Sequence, residues 1–382
     1  MDSALRPYRV LFPIGIGLAL IGVGAWPAHV FGLASYPGTL HRSLMIQGFE
    51  TSFILGFLLT AMPAFTHGPR CQPFELAWAV IAMTGFATAS MFGLKSVAQG
   101  FFLLAIVLPV VAGGRRVLGN PQKPPEEFAF VAFGLLLGAV GAALRFPEAS
   151  GHALMPRFAE RLLSLGMVLS LVVGVGSLLV PTFAGIRDPL VIPRIAKAHE
   201  RAGRRILYAV AMVGLALAFV LEGIGHATLG MAMRATVVSV MLLWVWKLYR
   251  LPRRDVPGFL LWGSGWFVPL GLWAAVLDPA HAVAALHVTF IGGFSLLTIG
   301  IGTRVIVSHG GLALSMERRV LDVPWLALFL VALITRVLAE IAGGHVIHAW
   351  AASAVLWMIA CGWWTRRAFS LPAADQLTRI TD

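Results

Sequence analysis

Apolar stretches of about 20 residues, the length that spans a hydrocarbon core as a helix, recur from one end of the chain to the other. Short segments that hold most of the charged residues separate them. Hydropathy and helix-breaking residues predict about twelve spans, near residues 10–33, 43–64, 74–94, 97–113, 128–145, 159–181, 204–224, 229–248, 257–277, 281–306, 323–341 and 347–365. A transmembrane β-barrel would instead alternate apolar and polar positions over short segments. The expected fold class is therefore all-α, a polytopic transmembrane helical bundle, with 1–382 as a single transmembrane domain. The second and tenth spans share a loose plan. Gly56–Thr60 is followed by His67-Gly68, and Gly293–Thr298 by His309-Gly310. This suggests two six-helix halves, 1–185 and 200–370, joined by the basic loop near 181–204.

Composition narrows the class. Hydrophobic residues make up 58% and charged residues 12% of the 382 residues, against roughly 25% charged in soluble domains. A mean hydropathy of +0.84 excludes an ordinary soluble enzyme. The net charge of +12 does not point to nucleic acid. Of the 29 Lys and Arg, 22 fall on one side of the expected topology and 7 on the other. That bias follows the positive-inside rule and places both termini in the cytoplasm. The partner implied is the lipid bilayer. The basic-then-apolar start, Arg6 to Ala28, imitates a signal peptide, but the run is long and further spans follow, so a retained first helix is expected. Cys71 and Cys361 belong to no metal-spacing motif and read as structural.

The histidines change the picture. His29, His41, His152, His226, His281, His287, His345 and His348 fall on the side poor in Lys and Arg; His67, His199 and His309 fall on the other. Histidine near a bilayer is costly without a partner, and neutral imidazole is a common ligand of haem iron and copper. His41 opens the second span, and His287 lies near the outer end of the tenth, with Gly292 and Gly293 offering room for a macrocycle. Taken singly, each is explained as well by a bond to a helix-end carbonyl; the cluster favours ligation. Glu222 and His226 share a helix face, as a metal ligand and its orienting carboxylate would, or as a simple hydrogen-bonded pair. His345 and His348, three apart, have a spacing that suits one metal and also arises by chance.

Other polar residues sit inside spans. Arg336 and Glu340 read as a neutralising i, i+4 pair. Glu50, with Gln47 one turn earlier, is a proton-path candidate or a hydrogen-bonded core residue. Arg304 ends the tenth span, placed to hold a haem propionate or lipid phosphate, or to reach the interface.

The second and tenth spans resemble signatures of the NnrS family, polytopic membrane proteins with haem and copper linked to nitric oxide stress and denitrification. His41, Met45, Gly48 and Phe49 match the first signature, followed by Gly56 to Ala61, Pro63 and Thr66. His287, Gly292, Arg304, His309 and Gly311 match the second in order and spacing. Ser43 and Leu44 stand where the family pattern has a second histidine and a glutamate, and Leu40 where it has a tryptophan. The resemblance implies a bacterial inner-membrane protein with haem, possible copper, and a small gaseous or iron-linked ligand such as nitric oxide. It implies cofactor contacts at His41, His287, Arg304 and His309; the spacings described above make His226, Glu222, His345 and His348 further metal candidates. Two rival readings are a secondary transporter of a small solute, using Glu50, Arg336 and Glu340 for coupling, and a metal-free assembly factor. No nucleotide-binding loop or nucleophile triad is present, and no defined reaction follows from the sequence.

Overall fold

A computed structural model describes residues 5–118, 124–146, 155–186, 198–341 and 343–371. Among these residues the chain is helical throughout and contains no strand. The spanning helices are α1 (Tyr8–Val30), α2 (Gly38–Thr66), α3 (Pro73–Met91), α4 (Lys95–Val117), α5 (Phe128–Arg145) and α6 (Arg157–Phe183). They continue as α7 (Ala198–Gly223), α8 (Ala227–Trp244), α9 (Val256–Leu277), α10 (Pro279–His309), α11 (Val323–Leu338) and α12 (Val346–Phe369). Eleven are long and apolar enough to cross a membrane by themselves or in part; α11 reaches that length only with the short helix Leu314–Val320, from which it bends by 53°. The expected span limits agree with these to within a few residues, and the expected short fourth span is a full 23-residue helix.

Packing follows a period of four spans. The hairpins α3–α4, α7–α8 and α11–α12 are the corresponding tight pairs of three units, and α4–α5, α8–α9 and α12–α1 join each unit to the next. The second span of each unit is central. Helices α2, α6 and α10 are 83%, 83% and 61% buried, against 50% or less for the other unbroken spans. Each also carries a π-helical stretch, at Leu44–Glu50, Leu162–Met167 and Val288–Ser295. The likeness between spans two and ten therefore has a different basis from the two halves expected. They are eight spans apart, which a six-span repeat does not relate and a four-span repeat does.

Local sequence explains where the helices start and stop. Helices α3, α9 and α11 each begin with proline in the first turn behind a capping side chain: Gln72 with Glu75 in a capping box, Asp255 accepting from Gly258 N, and Asp322 accepting from Trp325 N. Helix α2 ends on His67, in the left-handed region at φ 51°. The His-Gly dipeptides that stood out in the sequence are thus helix-stop signals. Large apolar side chains such as Ile81, Leu104, Val213 and Leu270 are exposed on peripheral helices. This is the surface expected of a bundle solvated by lipid.

Candidate site at the histidine face

His41 lies in the first turns of α2, three residues before the π-helical stretch. Gly22 of α1 allows the two helices to meet there: a Cβ on Gly22 would stand 2.9 Å from Leu44 Cβ. The close approach brings the Gly22 carbonyl to 3.1 Å from His41 Nδ1. His287 stands directly before the π-helical stretch of α10, and its Nδ1 lies 2.7 Å from the Val283 carbonyl oxygen. A carbonyl only accepts, so in both rings Nδ1 carries the proton and Nε2 keeps its lone pair. Hydrogen bonding of one ring nitrogen to orient the other is how proteins hold an imidazole ligand.

His41 and His287 lie within electrostatic reach of each other, and both lie within reach of Arg336 on α11. Aromatic side chains frame them. Trp26 meets His41 edge-on at 5.8 Å and Trp350 at 5.0 Å; Phe290 meets His287 at 5.9 Å. The Arg336 guanidinium sits 4.8 Å from the Trp350 ring centre and bonds Glu340 at 3.3 Å, the i, i+4 pair expected. Trp350 Nε1 is buried without an acceptor, a donor that a bound group would satisfy.

These residues discriminate between cofactors. Among the described residues, no three of His, Cys, Asp and Glu come together as a metal cage. Copper sites are generally built from at least three protein donors. Haem brings four nitrogens of its own and needs one or two axial ligands. Two oriented imidazoles therefore fit haem better than copper held by protein alone. The Trp350 N–H is the group at hand for one of its carboxylates. The glycines do not provide the room expected of them: a Cβ on Gly292 would meet the Phe267 ring at 2.7 Å, and one on Gly293 would meet Val268 at 2.7 Å. Both serve helix packing.

The other sequence candidates lie apart from this pair. Arg304 forms a two-point ion pair with Glu317 and stacks over Phe183 at 4.4 Å, which accounts for it without a propionate. His309 is exposed at the opposite end of α10. Glu222 binds Arg161 at 3.1 Å and Arg234 at 2.8 Å rather than His226, whose exposed residue caps α8. His345 and His348 are exposed, with ring centres 6.2 Å apart in edge contact. His281 bonds Asp278 at 2.8 Å and holds that carboxyl below its usual range. His29 bonds the Ala34 carbonyl. His152 falls outside the described residues. Leu44, at the position of a family glutamate, is fully buried against Gly22, so that position packs helices. Trp26, Trp350 and Arg336 were missed as parts of the site. The tryptophans read as packing stripes, and their common place becomes visible only when α1, α11 and α12 are brought together.

The NnrS protein family profile matches residues 4–371, nearly the whole chain. The chain belongs to the NnrS family. Among curated proteins no match to it is found. The match runs through all three four-span units, so this NnrS protein is a family member along its length and not only at the two spans that carry the signatures.

Proposed function

We propose that this NnrS protein is an inner-membrane haem protein of the nitric oxide response, with the arginine-rich face in the cytoplasm. His41 and His287 would hold the haem iron. The observation that carries the reading is the imidazole pair from α2 and α10, each with Nδ1 bonded to a backbone carbonyl and Nε2 left over. Bound haem would supply a redox-active iron that binds small diatomic ligands. The chain's own part is to fix both ring tautomers, screen the site with Trp26, Trp350 and Phe290, and offer the Trp350 N–H to an anionic group. Copper is the weaker part of the reading, because the donors here number two. A deletion strain challenged with a nitric oxide donor tests the role. Complementation by wild type, but not by His41→Ala or His287→Ala at equal membrane abundance, supports it; equal rescue by both variants removes it.

A further inference from the structure

The acids of this bundle fall into two kinds. Nine of the described carboxylates have an arginine or histidine at ion-pair distance: Glu75, Glu126, Glu160, Glu222, Asp255, Asp278, Glu317, Asp322 and Glu340. Among the described residues, Glu50 and Glu127 have only hydroxyl partners. Thr298 Oγ1 donates to Glu50 Oε2 at 2.7 Å, and Tyr208 donates to Glu127 Oε1 at 3.2 Å. Both acids are at least 95% buried. A bare carboxylate buried without a cation costs several kcal/mol, and a carboxyl that takes up a proton avoids that cost.

These same two acids line the internal spaces of the bundle. Glu50 faces a cavity of about 70 Å³ where α2, α6 and α10 converge, walled by Phe12, Phe53, Val172, Leu297 and Ile301. Glu127 borders a narrower gap nearer the arginine-rich face, too tight to hold a water. Phe57 and Val175 border both. No other acid, arginine, lysine or histidine lines either space, and the neighbouring Glu126 is paired with Arg205. A cavity of this size has room for water beside Glu50 and Thr298, the polar side chains on its otherwise apolar wall.

We propose that Glu50 is a proton-binding site at the centre of the bundle. The proton comes from water in the cavity and binds Glu50 Oε1, since Oε2 already accepts from Thr298. The step forms one O–H bond as it breaks another, and it turns Glu50 from an anion into a neutral acid. It stands independently of any metal at the histidine face.

The test is infrared difference spectroscopy of the full-length protein in lipid nanodiscs during exchange from water to deuterium oxide. Wild type is expected to show a protonated carboxylic C=O band that shifts down on deuteration and is lost in Glu50→Gln. Two variants keep Glu50 and guard against a folding defect. Thr298→Val should move the band to higher frequency, by loss of the donor to Oε2, and Glu127→Gln should keep the band, which assigns it to Glu50. A band that persists in Glu50→Gln, or no band in wild type, overturns the site.

Discussion

The two ends of this bundle use polar residues in opposite ways. At the arginine-rich face the ions are closed on one another. Arg116 and Glu75, both 1% exposed, are joined at 2.8 Å, with Arg115 on the same carboxylate and Arg116 also donating to the Pro69 and Ala112 carbonyls. Arg304 and Glu317 repeat the pattern. The two buried arginines there, Arg116 and Arg304, each have a carboxylate partner, so these pairs are structural. At the histidine face, His41 and His287 each use one nitrogen to fix the ring and leave the other, and the Trp350 N–H has no acceptor. Burying a charge demands complete pairing; holding a ligand demands incomplete pairing. The contrast locates function where the polar groups are unfinished.

The largest effect expected follows from breaking the closed end. Glu75→Ala leaves the Arg116 guanidinium buried and should cost about 3–5 kcal/mol, read as a lower thermal midpoint or lost yield in detergent; an unchanged midpoint would mean that the pair is not structural. A smaller loss, about 1–3 kcal/mol, is expected for Gly22→Ala, which forces a Cβ against Leu44. That variant should also loosen His41, so its cofactor content should fall further than in an equally destabilised variant at the arginine-rich face. Equal content would sever the helix contact from the site. The histidines excluded from the pair sharpen the contrast from the other side. His226→Ala, His345→Ala and His348→Ala should each change stability by no more than about 0.5 kcal/mol and leave the absorption spectrum as it is. Loss of the spectrum in any one would widen the ligand set. The smallest effect concerns Cys71, beside Glu75. Burial, with the neighbouring carboxylate adding to it, pushes its thiol up to about 12. The thiolate forms only as pH approaches that value, so alkylation should be slow at pH 8 and rise steadily with pH. Fast labelling at neutral pH would show that this end is more open than the ion pairs imply.

Much of this was legible in the sequence, for identifiable reasons. Span number and limits follow from apolar length, which the bilayer dictates locally. His41 and His287 stood out because a histidine beside an apolar run needs a partner. The Arg336–Glu340 pair followed from i, i+4 spacing on one helix. What was hidden depends on packing between distant spans. The partner of Arg304 is Glu317, beyond a turn, and that of Glu222 is Arg234, across the α7–α8 hairpin. Neither spacing marks a pair, so both residues read as candidate ligands. The three-unit plan was obscured because the second unit has no histidine at the equivalent place: α6 begins with Arg157, Glu160 and Arg161, and Glu160 pairs with Arg42 of α2. Gly292 and Gly293 read as open space, when their missing side chains make way for Phe267 and Val268.

The account rests on His41 and His287 holding one haem between α2 and α10. The direct measurement is the absorption spectrum of the detergent-purified protein, oxidised and then reduced with dithionite, for wild type, His41→Ala, His287→Ala and Arg304→Gln. A Soret band with resolved reduced bands in wild type, lost or changed in each histidine variant and retained in Arg304→Gln, is the predicted result. A wild type from haem-replete cells with no such band, or an unchanged band in both histidine variants, would contradict it.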